Sequence, residues 1–228
     1  MRRVFVAVVI LLVSVIRVLA QSEPEYRMEI GLGTGMMTYE GDFNDGVFKE
    51  MQPMATIMAR RVLNPYMAFR LAATYGKIKG SSQNVETYYP DFQTTPYEFS
   101  NSLVDVSLTY EYNFWPYGTG RDYRGAQRLT PFVFGGLGIT SASGNGKSAT
   151  TANVPIGLGL KYKIAPRLNL GLEWAVHFSM SDKLDGVADP YYVKSSGPFK
   201  NTDCYSVLQL SLTYSFWAKC KVCHNQDE

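Results

Sequence analysis

Glu173, His177 and Ser179 are the residues of this sequence whose types and spacing come nearest to a hydrolase site. They are separated by even numbers of residues, so a β-strand would present all three on one face. A nucleophile, a base and an orienting carboxylate use these residue types. One strand nevertheless spreads each same-face pair over about 6 to 7 Å. We therefore expect the three side chains to fill an interior rather than to catalyse a reaction.

Cys220, Cys223 and His224 resemble part of a zinc site, but a fourth ligand is missing. The only other histidine is His177, which would lie in a different compartment. The glycines of segment 31–35 do not form a phosphate-binding loop, since no strand-to-helix context follows them. We predict no catalytic residue, no cofactor and no metal.

The first twenty residues read as a secretory signal peptide that is removed after Ala20. A basic start is followed by the apolar run 4–16, which is too short to span a bilayer of about 30 Å as a membrane anchor. Cleavage removes three arginines and takes the basic residues from 22 to 19, against 20 acidic ones. The mature chain is then nearly neutral, which gives no indication of nucleic-acid binding.

The remaining chain alternates polar and apolar residues with a period of two, which is typical of β-strands. In the clearest segment, Leu208, Leu210 and Leu212 alternate with Gln209 and Ser211. The pattern predicts strands at 27–39, 52–62, 66–78, 99–114, 130–141, 153–164, 168–179 and 205–217.

The connections between these strands indicate a membrane barrel. Long polar stretches are predicted after strands 1, 3, 5 and 7, whereas two of the other connections are short turns with proline and 115–129 is an exception. Long outer loops and short periplasmic turns are typical of outer-membrane barrels, as are 16 Tyr, 12 Phe and 3 Trp in alternating segments. A lipocalin-like soluble barrel would instead place its apolar side chains inside.

We therefore predict an all-β protein: an eight-stranded antiparallel transmembrane β-barrel in the bacterial outer membrane, with both termini in the periplasm. The domains would be a signal peptide at 1–20, the barrel at 21–217 and a periplasmic tail at 218–228. Eight strands enclose only enough space for side chains. The polar faces should then neutralise one another in a packed plug rather than line a channel, and they comprise Glu29, Arg70, Asp105, Glu111, Lys161, Glu173 and His177.

The tail and the long turn 115–129 should lie on the same side of the membrane. Their basic and cysteine residues form a predicted partner-binding surface of Arg121, Arg124, Arg128, Lys219, Cys220, Lys221 and Cys223. A partner there would be periplasmic and would carry acidic groups and a cysteine. Cys204 lies at the opposite end of strand 8, too far from Cys220 and Cys223 to bond with either. Cys220 and Cys223 would either close a small loop with each other, or one of them would bond the periplasmic partner. The alternative is a solvated turn with a frayed tail.

Five segments resemble the PorG-like family of outer-membrane barrels found in Bacteroidetes. They read EIGLG at 29–33, YEGD at 39–42, PIGLGLKY at 155–162, LNLGLEW at 168–174 and SDKLDGV at 181–187. The resemblance extends over roughly residues 26–217. Ser181, Lys183 and Gly186 depart from the family pattern, which more usually reads Thr-Asp-Tyr-Leu-Asp-Asp-Val.

This resemblance implies membership in the type IX protein secretion system, where such a barrel is associated with a periplasmic ring of a lipoprotein, PorK, and its partner, PorN. The hypothesis is an anchor for that ring, with Cys220 or Cys223 in an intermolecular disulfide. Two other classes remain open: a stand-alone structural or adhesive barrel, and a lipid-modifying enzyme that would depend on His177.

Overall fold

The structure, a computed structural model, describes residues 26–40, 49–81, 98–118, 126–144, 147–180 and 203–218. Eight β-strands follow one another along the chain: β1 (Tyr26–Glu40), β2 (Gln52–Asn64), β3 (Met67–Ser81), β4 (Glu98–Asn113), β5 (Leu129–Gly144), β6 (Lys147–Ala165), β7 (Leu168–Ser179) and β8 (Cys204–Ala218). Neighbouring strands are antiparallel, and β1 pairs with β8, so the sheet closes into a barrel. The predicted fold and all eight predicted strands are confirmed.

The barrel is polar inside and apolar outside, which is the reverse of a soluble lipocalin-like barrel. Leu32, Ile57 and Leu137 are exposed by 66%, 60% and 68% of their surface, whereas Glu111 and Thr140 are fully buried. Successive side chains of a strand point to opposite sides of the wall, so alternation in the sequence becomes a lining and a belt. Among the described residues, no helix is long and apolar enough to cross a membrane.

We call the two ends of the barrel the terminal end, where Tyr26 and Ala218 pair, and the loop end, where β1, β3, β5 and β7 finish. Residues 65–66 and 166–167 form the predicted short turns of the terminal end. Aromatic side chains surround this end in the way that membrane-interface girdles do, and they include Phe69, Tyr112, Phe114, Trp115, Tyr162, Tyr214 and Trp217.

The prediction of a long loop between the fifth and sixth strands is wrong. β5 continues to Gly144 and β6 begins at Lys147, so only residues 145 and 146 connect them. The intervening Ser, Thr and Ala residues pair across the hairpin from Thr140 with Thr151 to Ser143 with Ser148. The polar composition was typical of a loop, but backbone pairing does not require apolar side chains where a strand lies beyond the lipid.

The register of the first two strands, which alternation left uncertain, is set by their ladder. Glu29 pairs with Arg60 and Gly33 pairs with Thr56. Arg60 therefore points inward and Arg61 outward. This register adds an arginine to the predicted lining.

Candidate functional site: the filled interior and the arginine rim

Six charged side chains meet inside the terminal half of the barrel. Their register positions lie on β1, β2, β3, β4, β6 and β7, and the residues are Glu29, Arg60, Arg70, Glu111, Lys161 and Glu173. All six are at most 5% exposed. Three cations thus face three carboxylates in a space from which water is largely excluded. Balanced pairing is the condition under which charges tolerate burial.

Glu111 is the centre of this network. One of its oxygens lies 2.6 Å from Lys161 Nζ and 2.7 Å from Arg60 Nε, and the other lies 3.2 Å from Arg70 Nε. Arg60 also contacts Glu29 at 2.5 Å, and Arg70 forms an ion pair with Glu173. Arg60 and Arg70 are direct cross-strand partners, a pairing that would be repulsive alone. The carboxylates between them make it attractive.

Two phenylalanines fill the β5 side of the interior beside the charges. Phe132 and Phe134 stack on each other with ring centroids 5.8 Å apart. Arg70 lies 4.4 Å over the ring of Phe134, and Lys161 Nζ lies 4.1 Å over that of Phe132. These cation–π contacts bring the charged heads and the rings into one packed layer. The predicted packed plug is confirmed for the described residues.

Nearer the loop end, His177 and Asp105 belong to a second polar layer. His177 stacks on Tyr205 with centroids 4.5 Å apart, and its Nδ1 lies 3.0 Å from the Tyr205 hydroxyl. Asp105 accepts hydrogen bonds from Thr140 at 3.0 Å and from Asn153 at 2.6 Å. A cavity of about 30 Å³ separates this layer from the charge network, which is room for about one water molecule.

The hydrolase-like trio is not assembled as a catalytic unit. Glu173 bonds Arg70 and accepts a hydrogen bond from Gln209 at 2.8 Å, whereas His177 bonds Tyr205. Ser179 is buried, and its backbone N–H donates to the carbonyl of Asp203 at 3.0 Å. The three residues line one face, as predicted, but each has different neighbours.

An apolar cluster closes the loop end of the interior. It consists of Met37, Tyr39, Met54, Ile78, Phe99, Leu103, Ala142, Tyr205 and Val207. Tyr39 contacts Phe99 edge to face at 5.1 Å, and its hydroxyl donates to Asp203 at 2.6 Å. Sequence reasoning missed this cluster. Its only signal was apolar residues on faces that are polar elsewhere, such as Leu103 in β4.

The turn after β4 covers part of the terminal end of the interior. Tyr117 donates from its backbone N–H to Pro65 at 3.0 Å, and its hydroxyl reaches past β6 to Asn169 Oδ1 at 2.9 Å. Lys163 Nζ lies 5.4 Å from the centroid of the same ring. Burial raises the pKa of the Tyr117 phenol, and the nearby Glu29 carboxylate adds to the increase. The described part of this turn is therefore anchored to the barrel.

Replacing Tyr117 with phenylalanine should lower the free energy of unfolding by about 0.5–1.5 kcal/mol at neutral pH, because the buried Asn169 loses the hydrogen bond from the Tyr117 hydroxyl. A raised pKa contributes stability that is complete below the unfolded value of about 10 and is lost as the pH rises above it. The difference between the two proteins should therefore shrink above about pH 10. Urea titrations of the protein in lipid vesicles at two pH values measure it. Tyr162→Phe, at an exposed hydroxyl, is the control; an equal loss there would contradict the assignment.

The predicted partner-binding surface is described at one residue. Arg128 is exposed at the terminal end, and its carbonyl accepts a hydrogen bond from the backbone N–H of Lys163 at 2.8 Å. The other six predicted residues lie outside the described residues: Arg121, Arg124, Lys219, Cys220, Lys221 and Cys223. The predicted signal peptide also lies outside them.

Three further arginines are exposed at the terminal end and were missed because they are scattered in sequence. Arg27 and Arg167 lie with Arg128 around the mouth, and we call these three the arginine rim. Arg167 donates to the hydroxyls of Tyr26 at 3.4 Å and Tyr214 at 3.2 Å. Arg61, the last of the three further arginines, faces outward from β2 and is not part of the rim. Every carboxylate described at this end is buried in the network, so the exposed charge of the residues described there is positive.

Solved structures share this architecture. The fold is similar to that of Neisserial surface protein A, with a TM-score of 0.51 and 13% identity over 83% of this chain and 97% of that one. It is also similar to OprG, an outer-membrane protein of Pseudomonas aeruginosa, with a TM-score of 0.51 and 10% identity over 87% of this chain and 99% of that one. At such identities the likeness shows the fold alone.

No curated protein matches the sequence. One family model does match, and it covers residues 2–225, nearly the whole chain. Its description is "Domain of unknown function (DUF6089)". This eight-stranded barrel with a filled interior therefore belongs to the DUF6089 family.

Proposed function

We propose that this protein is a bacterial outer-membrane barrel that anchors a periplasmic protein assembly to the membrane. The apolar belt suits lipid contact, and the fold is that of small outer-membrane barrels. The terminal end would face the periplasm and the loop end the exterior, since short turns are periplasmic in such barrels.

The observation that carries this proposal is the filled interior. Ion pairs close the terminal half and an apolar cluster closes the loop end. Among the described residues, packed side chains leave no pore through the interior, and the hydrolase-like residues do not form a catalytic unit. A filled interior favours a function that resides on the outer surfaces, by binding, over transport or catalysis.

The arginine rim supports a partner on the periplasmic side. Rim residues Arg27, Arg128 and Arg167 present positive charge, while the carboxylates described at this end are buried. Such a surface attracts an acidic protein surface and discriminates against a basic one. The partner we propose is a PorK-like ring lipoprotein with its PorN-like companion in a type IX secretion system, as the sequence resemblance implies. Cys220 or Cys223 would form the intermolecular disulfide.

Charge reversal in the rim tests the anchor directly. Arg27→Glu with Arg128→Glu should reduce the lipoprotein recovered with the affinity-tagged barrel at least tenfold, because two attractive contacts become repulsive. Lys49→Glu, at the loop end, is the matched control and should recover the partner normally. Non-reducing electrophoresis of Cys220→Ser and Cys223→Ser should remove a reducible band in one of them. Undiminished recovery with the reversed rim would contradict the proposal.

A stand-alone structural or adhesive barrel is the second candidate. It is favoured by the β5–β6 hairpin, which continues beyond the last β6–β7 pair, Asn153 with Ser179, and presents hydroxyl side chains outward. Deleting the gene separates the two functions. Cargo retained in the periplasm supports the anchor, whereas normal secretion with lost surface attachment supports the adhesive barrel.

A further inference from the structure

The outward face of β3 changes abruptly from apolar to basic. From the terminal end it presents Phe69, Leu71, Ala73 and Tyr75, and then Lys77 and Lys79. The intervening inward residues are buried, and Ile78 is 0% exposed, so both lysines point away from the interior. The length of the uncharged part of this face can be compared with the thickness of the apolar layer of a membrane.

The position of Lys77 matches the edge of the lipid. It lies ten residues along β3 from the first residue, Met67, or roughly 33 Å at the usual rise of a strand. With the tilt of about 40° found in membrane barrels, this length spans roughly 25 Å of bilayer, the height of their apolar band. Lys77 and Lys79 therefore lie at the level of the lipid headgroups.

Hydroxyl side chains continue this level around the wall. Lys77 pairs with Ser102 and Lys79 pairs with Ser100. Ser102 pairs in turn with Ser143, and Ser143 with Ser148. These serines occupy outward positions on the loop-end side of apolar residues such as Val104 and Ile139. The wall thus presents a row of hydrogen-bond donors beside two ammonium groups, and we call Lys77, Lys79, Ser100 and Ser102 the lysine patch.

The charge of the lysine patch is positive. No ion pair of Lys77 or Lys79 is found within the described part of the chain. The carboxylate described nearest to them along these strands is Glu98, which pairs with Ser81 one outward position beyond Lys79. An anionic group at headgroup level would find two cations and two hydroxyl donors, and the outer leaflet is where the proposed orientation places it.

We infer that the lysine patch binds the phosphate group of a phosphorylated glycolipid of the outer leaflet, with the acyl chains lying along Tyr75 and Leu71 below it. The inference rests on the proposed placement of the loop end at the cell exterior. Ammonium groups bind phosphate as point charges, and serine hydroxyls add hydrogen bonds to its remaining oxygens. The aliphatic stems of the lysines pack on the apolar belt while their charges remain in the headgroup layer.

Titrating the refolded full chain in neutral-lipid nanodiscs with bis-phosphorylated lipid A tests this inference by native mass spectrometry. A lysine near an anionic lipid surface contributes about a fivefold factor in affinity. Lys77→Gln with Lys79→Gln should therefore weaken binding about 25-fold. Arg61→Gln, at an outward arginine of the other end, should stay within about twofold of the wild type. Dephosphorylated lipid should bind the wild type as weakly as the phosphorylated lipid binds the double variant.

Three results would overturn the inference: wild-type affinity in the double variant, an equal loss in Arg61→Gln, or displacement of the lipid by millimolar inorganic phosphate. The last would identify a free-phosphate site. Failure of the proposed function has a different signature. If a membrane-impermeant thiol label reaches Glu98→Cys only from the periplasm, the orientation is wrong. If the label reaches Glu98→Cys from outside but lipid A binds the double lysine variant with wild-type affinity, only the inference fails.

Discussion

Replacing Glu111 with leucine is expected to lower the free energy of unfolding by about 3–5 kcal/mol, because three buried cations then share two carboxylates. Glu111 lies within 3.2 Å of charged nitrogen atoms of Arg60, Arg70 and Lys161. Leucine supplies neither charge nor acceptor. Urea titration of the protein in lipid vesicles, followed by tryptophan fluorescence, measures the change.

Two further variants separate lost charge from lost packing at this position. Ser107→Ala lies on the same inward face of β4 and should change the stability by less than about 1 kcal/mol. Adding Lys161→Met to Glu111→Leu leaves two cations with two carboxylates and so removes the excess positive charge. The pair should show a favourable coupling of about 0.5–3 kcal/mol. Additive losses would mean that the network is not electrostatically coupled.

Gly136→Ala is expected to destabilise the barrel by about 1–3 kcal/mol, whereas Gly135→Ala should be neutral to within about 0.5 kcal/mol. A β-carbon at Gly136 would lie 2.1 Å from the carbonyl oxygen of Leu108 and 2.7 Å from Cα of Thr109. These are backbone atoms of the neighbouring strand, so no side-chain rotation relieves the overlap. At Gly135 the nearest such atom is the Pro155 carbonyl oxygen at 3.7 Å, an ordinary contact.

Gly135 and Gly136 are consecutive residues of β5, so the two variants carry the same substitution in the same strand. They differ only in the side of the wall to which the added methyl group points. Urea titrations of both variants under one set of conditions provide the comparison. If Gly135→Ala and Gly136→Ala were equally destabilising, the cause would be a general loss of backbone freedom. If neither changed stability, β4 and β5 would not approach as closely as this register requires.

The side chains that fill the interior also connect strands on different sides of the barrel. Contacts that reach across the lumen join β2 and β3 to β4, β6 and β7 through Glu111 and Glu173. A rigid wall of this kind can hold the arginine rim and the lysine patch at fixed positions on opposite ends. Rigidity of the supporting element is what the proposed membrane anchor would need.

The sequence by itself determined the strands, because the pleat of a strand turns a period of two directly into inside and outside. In β7 and β8 the predicted boundaries 168–179 and 205–217 lie within one residue of Leu168–Ser179 and Cys204–Ala218. The same alternation identified Glu29, Arg70, Asp105, Glu111, Lys161, Glu173 and His177 as the lining, and all are buried. Local geometry was sufficient for these conclusions.

Only the tertiary structure decided which charges meet. Arg60 escaped notice because its inward neighbours on β2 include Met54 and Met58, so the strand lacks a polar face. Its direction follows from pairing with Glu29 and Arg70 on the flanking strands. The stagger between strands then places Lys161 beside Glu111, which is 50 residues away in sequence. Pairing register and barrel closure are long-range properties, and alternation within one strand carries no information about them.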